Sequence, residues 1–247
     1  MLPFGSDMRV PVSHAVFVSS FDLAISQTGC ISMKEAMSNP DNTRVHERAV
    51  TAILNLVEHS QSRVPALQEV ADAMDIPLDH LRSIYPDETV LLTSVVEQAY
   101  MVLIDRCTRA VVRVDPDDPM EQCNALIYAY LCWVVEYPAQ FRVMADQRLL
   151  DMKDHPNLRR YQESINDLAL RMLRRALDKG QLHPKEDIVA LILTGRCFVY
   201  GTARMIVDGR LWQESPDEDP LKIAQGIVAD YVRRIARGSQ PRTGRVG

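Results

Sequence analysis

The sequence lacks the usual marks of an enzyme or a metal site. Its five cysteines (Cys30, Cys107, Cys123, Cys132, Cys197) are scattered and form no CxxC pair, so neither a zinc site nor a disulfide framework is suggested. They read as reduced, mostly buried thiols of a cytoplasmic protein. The six histidines (His14, His46, His59, His80, His155, His183) are not at ligand spacing. GxSxG, HExxH, P-loop and GxGxxG motifs are all missing, so no catalytic residue, cofactor or metal is expected and the chain is not read as an enzyme. Adjacent acids such as Asp117-Asp118 fall in loops and at helix starts, where capping accounts for them. No apolar run reaches the roughly 18 residues a membrane span needs. The net charge is −5, so the whole-chain balance carries no basic excess of the kind a nucleic-acid binder often shows. No β-strand pattern of any strength appears after residue 43.

What is present is helix. The 247 residues, 47% hydrophobic and 25% charged, suit a soluble globular protein with one large helical domain or a small one plus a larger one. Residues 1–42 differ from the rest. His14 to Ile25 is apolar but interrupted by Ser19, Ser20 and Asp22, and Arg9 alone is a poor start for a secretory signal. The segment reads as a disordered tail or, alternatively, as an artefact of a start that belongs at Met33. Ser38-Asn39-Pro40-Asp41-Asn42 is a turn-rich boundary. From Thr43, a candidate cap, Val45, Ala49, Ala52, Ile53, Leu56 and Val57 mark a first helix.

The one stretch that reads as a functional module is Val64 to Leu92. Leu67, Val70, Ala71 and Met74 fall at i, i+3, i+4 and i+7, a short amphipathic helix with Pro65 in its first turn. A break at Asp75-Ile76-Pro77 comes next, then Leu81, Ile84 and Tyr85 give a second short helix that Pro86 stops. Two short helices across a tight turn, with Ile76 plugging the corner, make a helix-turn-helix; the competing reading is any hairpin of an all-α protein. A long helix over Asp87 to about Val112 then leads into the body. There Asp118, Pro119 and Glu121 start a helix running to Tyr137 that is apolar almost all round and therefore central. Further helices are expected at Pro138 to about Leu149, from Pro156 to a Lys179-Gly180 stop, at Pro184–Asp208 and at Pro220–Arg237. Gly195 and Gly201 sit inside a helix, where each costs about 1 kcal/mol relative to alanine unless it permits close contact. Residues 238–247 read as a flexible basic tail.

At this point the residues resemble the TetR-type bacterial transcriptional regulators. The match runs over residues 43–237 in helix order. It is most specific from Ala52-Ile53-Leu54 to Leu91-Leu92: the Val70-Ala71 pair, the Ile76 corner, Leu81 and the Tyr85-Pro86 pair. Trp133 to Phe141, with its WxxxYPxxF pattern, resembles bodies in one branch of the family. The fold implied is all-α: a three-helix helix-turn-helix head over 43–90 and a six-or-so-helix ligand-binding and dimerising body over 91–237. The function implied is a ligand-responsive, DNA-binding transcription regulator, a repressor, in the cytoplasm. Its partners would be a double-stranded DNA operator, a small-molecule effector and a second copy of the chain meeting through the last two helices, with no membrane.

The departures from the family fall where DNA contact is expected. The turn glycine is Asp75 here, Arg82 stands in the place of a phosphate-binding tyrosine, Glu88 replaces the usual base at the start of the connecting helix, and Pro65 replaces a capping Ser/Thr. Between 43 and 90 the bases Arg44, Arg48, Arg63 and Arg82 face twice as many acids: Glu47, Glu58, Glu69, Asp72, Asp75, Asp79, Asp87 and Glu88. Phosphate contacts supply most non-specific affinity, so such a head should grip DNA weakly unless its arginines face the duplex. Candidate DNA contacts are Arg44, Arg48, Gln68, Leu78, Asp79, His80, Arg82 and Ser83, with Arg82, His80 and Gln68 foremost. The competing readings are an Asp79–Arg82 surface pair and a His80 with no special role. The alternative function is a TetR-like ligand- or protein-binding module that no longer grips DNA. For the ligand pocket the resemblance implies Trp133, Tyr137, Phe141, Met144, Met172, Phe198 and Tyr200. Arg196, or else Arg148 or Arg204, would hold an anionic group; each aromatic is otherwise plain core.

Overall fold

The computed structural model describes residues 40–59, 63–146, 148–151, 153–214 and 216–238. The expectations for residues 1–39, including the start at Met33, and for the tail beyond 238 lie outside the described residues. By its contacts the chain divides into two units, residues 1–46 and 47–247. The described part of the first is the opening of helix α1 (Pro40–His59).

The described residues are all-α, as expected. After α1 come α2 (Leu67–Met74), α3 (Leu78–Ile84), α4 (Glu88–Val112), α5 (Pro119–Glu136) and α6 (Pro138–Ala145). Then come α7 (Pro156–Asp178), α8 (Ile188–Val207), α9 (Arg210–Glu214) and α10 (Pro220–Gly238). The helix starts follow local chemistry. The Asp87 carboxylate accepts the Val90 amide at 2.8 Å and Asp118 accepts that of Glu121 at 3.1 Å, each occupying a donor that would otherwise be orphaned. Pro119, Pro138 and Pro156 each open their helices, where a missing N–H costs nothing.

Several details differ from the sequence expectation. α1 begins at Pro40, so Thr43 lies inside the helix rather than capping it, and Pro40-Asp41-Asn42 belongs to the helix rather than to a turn. Pro65 is not in the first turn of α2 but just outside it, because Ala66 is the N-cap. The N-terminal end of α2 is satisfied from elsewhere: Glu69 Oε2 accepts the Ala66 amide at 2.8 Å, and Glu88 Oε1, from the next long helix, accepts that of Leu67 at 2.9 Å. α6 stops at Ala145, four residues short, and α8 starts at Ile188 rather than Pro184, since Asp187 caps it by accepting the amides of Val189 and Ala190. The one-turn α9 has no counterpart in the sequence expectation.

Buried side chains fall into two sets along the chain. Ile53, Leu67, Val70, Met74, Leu81, Tyr85, Leu91, Leu92 and Val95 fill the helix-turn-helix region, while a continuous body core begins at Ala99. α4 belongs to both, so short helices that bury little by themselves gain a long one to lean on. Tyr85 shows the coupling: its hydroxyl bonds to Ser94 on α4, and burial pushes its pKa up to about 12. In the body, α5 packs against α4, α6, α7, α8 and α10 and is the central helix.

Helix α8 behaves differently from its composition. It is the one helix among the described residues long and apolar enough, by length and composition alone, to cross a membrane, although Arg196 and Arg204 interrupt its apolar run. Val189 is 74% exposed and Leu193 61%.

Candidate functional sites: the turn-linked helices and the body cavity

The break between α2 and α3 is a left-handed C-cap. Asp75 has φ 54° and ψ 51°, and among the described residues it is the only non-glycine with positive φ. The Ile76 amide reaches back to the Ala71 carbonyl at 3.1 Å and the Asp75 amide to that of Asp72 at 3.2 Å, closing the last turn of α2. Pro77 then sets the entry to α3. The turn places Asp79, His80, Arg82 and Ser83 on the solvent side of α3, with Leu81 fully buried beneath them and Leu78 half-buried. Ser83 Oγ donates to the His80 carbonyl at 2.7 Å, a bond within the helix. Among the described residues Arg82 makes no ion pair, so the expected Asp79–Arg82 competitor is not formed, although the charge of Arg82 does reach Glu88.

The other head bases are more committed. The Arg63 guanidinium grips Glu69 through two bonds of 2.7 and 2.9 Å, and this pair, together with the Ala66 amide, holds the Glu69 carboxyl down at about 2. Arg48, exposed on α1, donates to the Met74 carbonyl at the end of α2. Gln68 is exposed on α2 but its amide is bonded to Asp72 at 2.7 Å. Arg44 is exposed on α1 and belongs to the unit of residues 1–46. Glu88, in place of a base, serves as a cap: the Leu67 amide is the largest influence holding its pKa below the usual carboxylate range. No pattern within α2 alone could have shown this, because the acceptor arrives from a residue 21 positions away.

The body holds a half-open cavity of about 480 Å³ between α4, α5, α6, α7, α8 and α10. Trp133, Phe141, Met144, Arg196 and Tyr200 line it. Tyr137, Met172 and Phe198 do not. Tyr137 sits under the Arg106 guanidinium, 5.2 Å from its ring centroid, and Arg106 is itself bonded to Glu136 at 2.6 Å. Met172 is buried on a different face of α7 from the lining residues Ala169 and Leu173. Phe198 stacks on Tyr231 at 4.6 Å, and it is Tyr231 that reaches the cavity. Gly195 faces this ring, and a Cβ there would meet the Tyr231 hydroxyl at an ordinary contact distance of 3.5 Å.

Sequence reasoning missed the polar lining from α4, α5 and α7: Tyr100, Tyr130, Gln162 and Asn166. Gln162 and Asn166 are one turn apart on an otherwise apolar face, and that interruption is the signal available in the sequence. Burial pushes the Tyr100 phenol up to about 12 and raises Tyr130 as well, so both are neutral donors at ordinary pH. Among the described residues the Trp133 indole N–H and the Tyr231 hydroxyl, both buried, have no hydrogen-bond partner, a costly state for groups that line a cavity. The two other arginines considered for an anion are occupied: Arg148 bonds Asp146 at 2.8 Å, and Arg204 lies 3.2 Å from Asp208.

Comparison with known proteins agrees with this architecture. Residues 123–231 match the family described as tetracyclin repressor-like, C-terminal domain. A TetR-family regulatory protein from Rhodococcus RHA1 superposes with a TM-score of 0.64 at 19% identity, covering 77% of this chain and 96% of that one. The TetR-family transcriptional regulator PfmR from Thermus thermophilus gives 0.60 at 17% identity, with 78% and 99% covered. A TetR/AcrR-family regulator from Thermobifida fusca gives 0.55 at 14% identity, with 80% and 99% covered. No curated protein matches in sequence. Over residues 123–231 the chain is therefore similar to the tetracyclin repressor-like C-terminal domain, and its fold is the one seen in these TetR-family structures.

Proposed function

We propose that the protein is a DNA-binding transcriptional regulator, acting as a repressor, that works as a homodimer and answers to a small molecule held in the body cavity. The observation that carries this reading is the combination, in one chain, of a solvent-facing α3 set by a tight turn on α2 with a half-open, largely apolar cavity in the body. In a dimer the two α3 helices would enter neighbouring stretches of major groove. Arg82 is the base best placed to bond a guanine edge or a phosphate, with His80 and Ser83 beside it. A ligand would act by binding better to one spacing of the two heads than to the other.

The dimer is supported by α8 and α10. Val189, Leu193, Met205 and Ile227 are exposed on them, and a Cβ at Gly201 or Gly226 would meet nothing within 4 Å among the described residues. An apolar face of that extent is normally covered, and a second copy of the same two helices would cover it by a twofold, self-complementary contact.

A second reading is favoured by one specific observation. Arg48 and Arg63 are spent on internal bonds, so an already acidic head offers few free bases to phosphate. On this reading the head has lost DNA binding and acts through a protein partner. The deciding experiment is titration of the purified protein with its own upstream DNA and with random DNA at two salt concentrations. The regulator reading expects selective binding, abolished by Arg82→Ala, with a shallow salt dependence. Binding no better than to random DNA at low salt would leave the second reading.

A further inference from the structure

Several polar groups of the body cavity, Tyr100, Tyr130, Trp133, Arg196 and Tyr200, are gathered at one end of it. α4 and α5 run antiparallel, so Tyr100 on α4 lies level with Tyr130 and Trp133 on α5, while Cys107 lies level with Leu126, whose carbonyl it approaches at 3.9 Å. On α8, Arg196 and Tyr200 fall at the same end as Tyr100: Arg196 is close enough for its charge to act on the Tyr100 hydroxyl, and Tyr200 packs on Phe141 of α6 at 5.9 Å. The opposite end is walled by aliphatic side chains and the two buried thiols Cys107 and Cys123.

Charge sharpens the picture. Among the described lining residues Arg196 is the only charged side chain, since they include no Asp, Glu, Lys or His. It makes no ion pair among the described residues, although Arg148 and Arg204 are both paired. It is exposed, at the cavity mouth, and so can keep its charge without a partner until a ligand arrives. One guanidinium with neutral hydroxyl and amide donors around it suits a single negative charge shared over two oxygens. A phosphate dianion or a nucleotide-bearing thioester would need further bases, which the lining does not have.

We propose that the effector is an amphiphilic monocarboxylate: its carboxylate paired with Arg196 beside Tyr100, its apolar body filling the aliphatic end. This deepens the proposal that the cavity is the effector site and rests on it.

The test is calorimetric titration of the full chain with three probes of equal chain length, decanoate, 1-decanol and decylamine, on the wild type, Arg196→Gln and a cavity-filling variant, Ala169→Phe. Decanoate should bind at least about tenfold more tightly than decanol, the usual scale of a charge-assisted bond. Arg196→Gln should remove that advantage and leave decanol affinity as it was. Because Arg196 is exposed, the variant should fold normally. Ala169→Phe, if folded, should lose both ligands; retention of binding there would place it outside the cavity and overturn the proposal. Decanol or decylamine binding as well as decanoate would overturn the carboxylate assignment and leave the cavity as an effector site. Failure of all three probes with folded wild-type protein would remove the effector-site reading itself.

Discussion

Asp75 holds a backbone conformation that suits glycine. At φ 54° a side chain other than Asn or Asp is strained, and the short polar side chain of aspartate is what makes the position tolerable. Asp75→Gly should therefore raise the urea midpoint, by up to about 1 kcal/mol in stability, whereas Asp75→Val should lower it by more. The glycine variant also removes an acid from the turn beside α3, so tighter DNA binding should accompany the gain. Glu97 is a second residue-scale case. It lies on α4 between the two buried sets, half-buried, with no partner among the described residues, and burial raises its pKa. A carboxyl whose folded pKa is raised favours folding most below its unfolded pKa, and that contribution is lost as the pH climbs through the folded value. Glu97→Gln should then stabilise the protein by several tenths of a kcal/mol at neutral pH, and the gain should vanish in acid. Thermal unfolding of both proteins across that pH range checks the sign.

At the scale of the element, α2 has its N-terminus capped by two glutamates, one of its own and one from α4. Removing the second with Glu88→Ala should cost about 1 kcal/mol, as loss of a cap usually does, while Glu88→Gln keeps an acceptor and should recover part of it. The pH dependence has the opposite sign to that of Glu97. The Glu88 pKa is lowered by the Leu67 amide, so its contribution is present above the unfolded value and fades as pH falls through the folded one. Glu88→Lys should separate two roles: stability falls as in Glu88→Ala, but DNA affinity rises, because a base returns where TetR-type heads carry one. The same glutamate shows what the sequence could and could not reveal. The helices, their order and most of their boundaries come from short-range signals, such as Asp87 and Asp118 as caps or Gly180 at φ 71° as a stop, all readable from neighbouring residues. Glu88 reads only as a missing base until its long-range acceptor role is seen. The cavity is half legible for a related reason. Trp133, Phe141, Arg196 and Tyr200 can be picked out by type, but which face of α7 looks inward depends on packing, so residue type alone favours Met172 over the true lining pair Gln162 and Asn166.

For the whole molecule, the decisive feature is that α8, among the most apolar helices in the chain, is also largely uncovered. A helix so composed is stable in water only if something shields it, and within the proposed function the shield is the same helix of a second subunit. Leu193 is the place to test this, because at 61% exposure it contributes little to the fold of one chain and would be central to a twofold contact. Leu193→Glu should leave the helical content and the unfolding midpoint of the isolated subunit nearly unchanged while placing two carboxylates face to face in the dimer. Sedimentation equilibrium should then show wild type as a dimer and the variant as a monomer. Operator affinity should fall steeply with it, because two half-sites bound by linked heads gain from effective concentration that two separate heads do not have. A variant that stays dimeric would move the subunit contact to another face. A wild type that is monomeric at every concentration would leave α8 to be covered by a different partner, and the two-headed grip on DNA would go with the dimer.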